Sequence, residues 1–311
     1  MSLAFVFPGQ GSQSVGMLNA LADAYPQVAE TFAEASNALG YDLWTIVAGG
    51  PEDRLNQTEV TQPAMLSAGV AAWRVWRAES GPRPTLMAGH SLGEYTALVC
   101  AGAIAFPDAV NLVADRGRYM QQAVPAGQGG MAAIIGLDDD QVRALCAQNA
   151  QGDVLAPVNF NSPGQVVIAG TAAAVARAVA GAKSAGAKLA KPLPVSVPSH
   201  CALMRPAAEQ MRARLAAIRI DPPAIPVLHN VHVKSESDPQ AIRDALVRQI
   251  ESPVRWVETI QVMAAGGVTQ LIECGPGKVL AGLNKRIDKN SQTFPVYDPE
   301  TLRQARAALG A

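Results

Sequence analysis

A short apolar run, residues 85–88, ends in Gly89-His90-Ser91-Leu92-Gly93 and passes into residues 94–101, a stretch with no Gly or Pro. A buried strand that turns sharply through glycines into a helix belongs to an α/β sheet with helices packed on its faces. A second apolar run, residues 3–7, is stopped in the same way by Pro8-Gly9. Runs at 226–233 and 269–274 predict further strands, separated by helical stretches. The main body is therefore expected to be α/β with a largely parallel sheet.

The middle of the chain follows a different pattern. Residues 130–136 read as a strand, and 138–149 as an amphipathic helix opened by Asp138, Asp139 and Asp140, which suit a helix N-terminus. Residues 154–161 and 165–169 are strands around the turn Ser162-Pro163-Gly164. Residues 171–185 form an alanine-rich helix and 187–195 a last strand. The order β-α-β-β-α-β is that of a ferredoxin-like unit. It is placed at 125–196, inserted into a larger domain made of 1–124 and 197–311.

The 311 residues allow one large domain or two smaller ones, at roughly 150 residues each. A net charge of −1 gives no reason to expect binding to nucleic acid or to a membrane surface. No run approaches the ~20 apolar residues of a membrane span, and the N-terminus has no secretory pattern. The four cysteines include no CxxC pair. A cytoplasmic location is expected.

The flanked serine is the chemical clue. Gly89-x-Ser91-x-Gly93 between a strand and a helix lifts a hydroxyl to the sheet's edge, at a helix N-terminus whose free N–H groups favour developing negative charge. A plain glycine-bordered turn is the alternative. A serine hydroxyl needs a base. Of the four histidines, His90 adjoins Ser91, and His229 and His232 fall in the strand expected at 226–233. His200 lies in an irregular, proline-stiffened segment just before a helix, where a base is best placed. Cys201 beside it is not expected to face it. No acid between 91 and 200 stands out as a third member, so a backbone carbonyl is an alternative means of orienting the imidazole.

Residues 9–13, GQGSQ, invite a nucleotide-binding reading, but Ser14 stands where GxGxxG needs its third glycine, and no Gly-Lys-Ser/Thr follows. The loop remains a candidate to present the Gln10 N–H beside that of Leu92 as an oxyanion hole, or is a structural turn. In residues 108–123, Ala109, Leu112, Val113, Tyr119, Met120 and Ala123 trace a helical stripe on which Arg116 also falls. A buried guanidinium needs a partner. That partner is either an internal carboxylate or the carboxylate of a substrate held by a bidentate fork.

FPGQGSQ, GHSLGEY, DRGRYM, NFNSPGQVVIAG, PSH and RQIESPVRW, in this order over essentially the whole chain, resemble the malonyl-CoA:acyl carrier protein transacylase family of bacterial fatty-acid synthesis. The resemblance implies an α/β-hydrolase-like core with an inserted ferredoxin-like subdomain. It implies Ser91 as nucleophile, His200 as base, and the Gln249 backbone carbonyl as the group orienting His200. It further implies the Gln10 and Leu92 amides as oxyanion hole and Arg116 as the site of the malonyl carboxylate. The partners implied are malonyl-CoA, a substrate rather than a cofactor, and holo-acyl carrier protein, with no metal and no bound cofactor.

Carriers of this kind are acidic, so Lys278, Lys285, Arg286 and Lys289, at helical spacings, are candidates for a docking patch. A solvated basic face is the alternative. Within the family, service to malonate decarboxylase or to polyketide synthesis is open. Outside it, a serine esterase or thioesterase shares the serine motif but gives Arg116 no role. A non-catalytic carrier-binding module would leave Ser91 unlabelled by substrate.

Overall fold

The computed structural model describes residues 2–195 and 197–310. Among the described residues, nine strands form two sheets. The first has β1 (Ser2–Phe7), β2 (Leu86–Gly89), β7 (Val227–Leu228), β8 (Val268–Cys274) and β9 (Gln292–Val296) in the order β7-β2-β1-β8-β9. Every pairing in it is parallel. The central strand β1 is apolar and buried from Leu3 to Phe7, as a parallel strand covered on both faces must be. Phe5 packs edge-on against Trp73 and Trp76 of the helix Thr58–Ala78, with ring centroids 5.1 and 5.4 Å away.

The second sheet joins β3 (Gly129–Ile135), β4 (Leu155–Ser162), β5 (Gln165–Thr171) and β6 (Leu189–Pro192) in the order β4-β5-β3-β6, all antiparallel. One face packs Ile134, Val166 and Ile168 against Leu145 and Val175 of the helices Asp139–Ala150 and Ala172–Ala182. Asp138 caps the first of these helices with a reciprocal box to Gln141. The other face gathers Met131, Val158, Val167 and Cys201. β4 is tied to the segment before the helix Trp256–Ala265, where Phe160 N–H donates to Val254 O at 3.0 Å and Val254 N–H to Val158 O at 2.8 Å.

The expected strand at 226–233 is cut to Val227–Leu228. Beyond Leu228 the backbone bonds elsewhere: Asn230 N–H donates to the Glu94 carboxylate, and Val233 N–H closes a turn onto His229 O. The expected strand 187–195 shortens to Leu189–Pro192, where Pro192 and Pro194 remove ladder donors. The expected end of the inserted unit, Ser196, lies outside the described residues.

Candidate active site

The parallel register places Phe7 opposite Gly89, so the loop after β1 and the turn after β2 emerge side by side. The turn is tight enough to require its glycines. A Cβ on Gly89 would sit 1.8 Å from the carbonyl carbon of Gly93, and one on Gly93 would sit 2.1 Å from Phe7 O. Between them Ser91 is held at φ 51, a left-handed conformation that costs an L-residue about 1–2 kcal/mol. Two side chains hold it there. Ser91 N–H donates to Asn230 Oδ1 at 2.8 Å, and Gln249 Nε2 donates to Ser91 O at 2.8 Å.

Ser91 Oγ lies 2.7 Å from His200 Nε2. His200 Nδ1 lies 2.8 Å from the backbone carbonyl of Gln249, at the end of the helix Pro239–Glu251. A carbonyl only accepts, so Nδ1 carries the proton and Nε2 presents its lone pair to the serine hydroxyl. Burial, reinforced by the positive charge of Arg116, pushes the His200 pKa down to about 3. The imidazole is therefore neutral and available as a base at any ordinary pH.

The other histidines are engaged elsewhere. His90 Nε2 is bonded to Asn161 Oδ1 at 2.8 Å, and its ring leans on Trp256. His229 is fully buried against Glu94, and His232 reaches Glu236. Cys201 donates to Pro198 O, and burial pushes its thiol up to about 11, which makes it a poor nucleophile.

Arg116 is 1 % exposed, on the inward stripe of the helix Phe106–Ala123. Gly117 beside it lets this helix touch Thr58–Ala78: a Cβ there would meet Thr58 O at 2.6 Å. That approach brings Gln62 within reach. Arg116 Nη1 donates to Gln62 Oε1 at 2.9 Å, and Nη2 to Gln249 Oε1 at 3.0 Å and to Ser91 Oγ at 3.3 Å. All three acceptors are neutral, and Nε finds no hydrogen-bond acceptor among the described residues. The internal carboxylate weighed for Arg116 in the sequence is not among its hydrogen-bond partners.

Ser91, His200 and Arg116 line a cleft of about 890 Å³, counted with its open mouth, together with Gln10, Leu92 and Asn159. Leu92 immediately precedes the helix Gly93–Cys100, whose first N–H groups, those of Gly93 and Glu94, donate to His90 O and Ser91 O. A serine hydroxyl bonded to a buried imidazole beside a buried cation, open to one cleft, fits transfer of an acyl group that carries a negative charge.

The acyl transferase domain family matches residues 4–298. The chain belongs to that family. This acyltransferase is 60% identical over 302 residues to the malonyl CoA-acyl carrier protein transacylase of Salmonella typhimurium, covering 97% of this chain and 98% of that one. Its structure is similar to that of the malonyl CoA-acyl carrier protein transacylase from Coxiella burnetii, with a TM-score of 0.99 at 53% identity, over 100% of this chain and 98% of the other. A malonyl-transacylase solved in complex with a holo type II PKS acyl-carrier protein matches with a TM-score of 0.98 at 56% identity, over 99% and 100% of the two chains.

The basic residues proposed for docking are only partly on one helix. The helix spans Val279–Ile287, so it carries Lys285 and Arg286, while Lys278 is its N-cap and Lys289 lies beyond its end. All four are exposed. Sequence reasoning passed over Gln62, Asn161, Asn230, Glu94 and the Gln249 side chain as site residues. One signal for Glu94 was present: an acid opening an otherwise apolar helix, GEYTALVC.

Proposed function

We propose that this acyltransferase moves malonyl from coenzyme A to the phosphopantetheine thiol of an acyl carrier protein through an ester on Ser91. The observation that carries the reading is the buried Arg116 guanidinium, 3.3 Å from Ser91 Oγ and bonded only to neutral acceptors. A carboxylate at the far end of the acyl group supplies the missing charge. The names of the relatives agree with this substrate.

His200 Nε2 takes the Ser91 Oγ proton as Oγ attacks the thioester carbonyl carbon. The carbonyl electrons move to oxygen, and the Gln10 and Leu92 amides donate to that oxyanion. Collapse breaks the C–S bond, and coenzyme A leaves as a thiol with the proton from His200. In the second half the carrier thiol gives its proton to His200, and its sulfur attacks the ester. Ser91 then leaves and recovers the proton. The Gln249 carbonyl keeps Nδ1 protonated throughout. Arg116 holds the malonyl carboxylate away from Oγ, so that only the thioester end reacts.

The strand order β4-β5-β3-β6, with both helices on one face, supports a ferredoxin-like unit at 125–196, inserted into an α/β-hydrolase-like core of 1–124 and 197–311. The chemistry calls for no cofactor, the coenzyme A thioester being a substrate, and a cytoplasmic location is proposed. Lys278, Lys285, Arg286 and Lys289 are proposed to receive the carrier. The solved complex with a PKS carrier makes a polyketide carrier a second acceptor to assay. Steady-state rates varied in both substrates test the scheme: parallel double-reciprocal lines are expected, and intersecting lines contradict a covalent intermediate.

A further inference from the structure

Glu94 is 0 % exposed, one turn behind the nucleophile and outside the cleft's lining. A carboxylate so deep needs donors on every side. It has three: His229 Nδ1 at 2.7 Å on Oε1, and Asn230 N–H at 2.9 Å and Gln249 Nε2 at 3.0 Å on Oε2. The two residues bound to Oε2 are the ones that hold the serine turn. Asn230 spans it, accepting from Ser91 N–H at 2.8 Å and donating to Gly89 O at 2.7 Å. Gln249 donates to Ser91 O, accepts from Arg116 Nη2 and lends its backbone carbonyl to His200.

We infer that Glu94 is a positioning residue for malonyl selectivity, acting on Arg116 through the Gln249 amide. The direction of that amide is fixed by its partners. Nε2 faces two acceptors, Ser91 O and the Glu94 carboxylate, so Oε1 is the atom that meets Arg116. The carboxylate thus decides which end of the amide faces the guanidinium. Were the amide to turn over, its NH₂ would confront a cation. The same carboxylate is a negative charge one amide away from Arg116. Burial pushes the guanidinium pKa down, and Glu94 is among the groups opposing that shift. Arg116 is therefore aimed by neutral acceptors without a direct carboxylate partner, which leaves its charge uncompensated for a substrate carboxylate to meet.

The inference rests on the proposed malonyl reading of Arg116, so the test carries both. Glu94→Gln, Gln249→Met and Arg116→Ala are compared with the parent protein for malonyl and acetyl transfer from coenzyme A. Gln249→Met keeps the backbone carbonyl that serves His200 and removes only the amide. Both Glu94→Gln and Gln249→Met should lower the malonyl-to-acetyl ratio of kcat/KM by about tenfold, the size of a hydrogen bond to a charged group. The double variant should be no worse than about the poorer single one, because both break one chain of contacts. A merely structural role for Glu94 would lower both acyl groups alike, and that result overturns the inference while Arg116→Ala still shifts the ratio. If Arg116→Ala leaves the ratio unchanged, the malonyl reading falls and this inference with it. Should Glu94→Gln fail to fold, Gln249→Met decides: an unchanged ratio overturns the role of the amide.

Discussion

The guanidinium of Arg116 and the hydroxyl of Ser91 stand 3.3 Å apart, and among the described residues no carboxylate is hydrogen-bonded to that guanidinium. An arginine this deep ordinarily sits on an acid. Here its acceptors are two glutamine oxygens and Ser91 Oγ. A buried cation left without a counter-charge beside this hydroxyl is the basis for proposing that the acyl group is anionic.

Arg116→Ala should therefore cost malonyl transfer far more than acetyl transfer. The lost charged partner is worth about 3–5 kcal/mol at a desolvated site, so the malonyl-to-acetyl ratio of kcat/KM should fall by at least about a hundredfold. Arg116→Lys should recover part of it, because an ammonium keeps the charge and loses the planar fork. Equal losses for both acyl groups would make Arg116 structural.

His200→Ala should slow both half-reactions by roughly 10²- to 10⁴-fold, since one imidazole serves each. The low pKa of about 3 predicts the pH profile too. Acylation of Ser91 should run flat from neutral pH down to about pH 5, without the fall near 6.5 of an ordinary histidine. A midpoint between pH 6 and 7 in the rate of malonyl loading would contradict the assignment.

The same shift links to stability. The folded pKa lies below the ordinary 6.5, so between the two values the unfolded chain binds the proton and the folded chain does not. This contribution is complete above pH 6.5 and is lost as pH falls toward 3. Unfolding free energies of the parent and of His200→Gln, measured from pH 7 to 4, should converge or cross as the parent loses stability faster. Parallel curves would place the His200 pKa near its usual value.

Charge reversal of Lys285 and Arg286 to Glu should weaken use of the carrier and leave loading from malonyl-CoA nearly unchanged, because loading involves no carrier. Added salt should weaken the carrier step in the same way. Equal damage to both half-reactions, read by rapid quench, would place the defect in the fold or the cleft.

Much of this was legible in the sequence because it rests on local backbone chemistry. The glycines around Ser91 announce a turn that tolerates no Cβ, and the apolar stripe through Arg116 announces an inward charge. His200 could be chosen because His229 and His232 were expected in a strand and His90 adjoins Ser91. The reason was partly wrong: His229 is no strand residue but the buried partner of Glu94. What stayed hidden depends on contacts between distant segments. Gln62, Asn230 and the Gln249 side chain are 54, 139 and 158 positions from the atoms they meet in the site. Nothing in a polar amide's own neighbourhood tells which distant group it will bond. The strand at 226–233 failed for the same reason, since a carboxylate far away in sequence claims the Asn230 N–H that a ladder would use.

Intact-protein mass spectrometry tests the central claim most directly. On addition of malonyl-CoA the protein should gain one malonyl, mapped to the peptide containing Ser91, and on addition of holo-acyl carrier protein the adduct should vanish as malonyl-carrier appears. Ser91→Ala should show no adduct. An adduct that survives Ser91→Ala, that maps to Cys201, or that is released only to water would contradict a malonyl-serine relay.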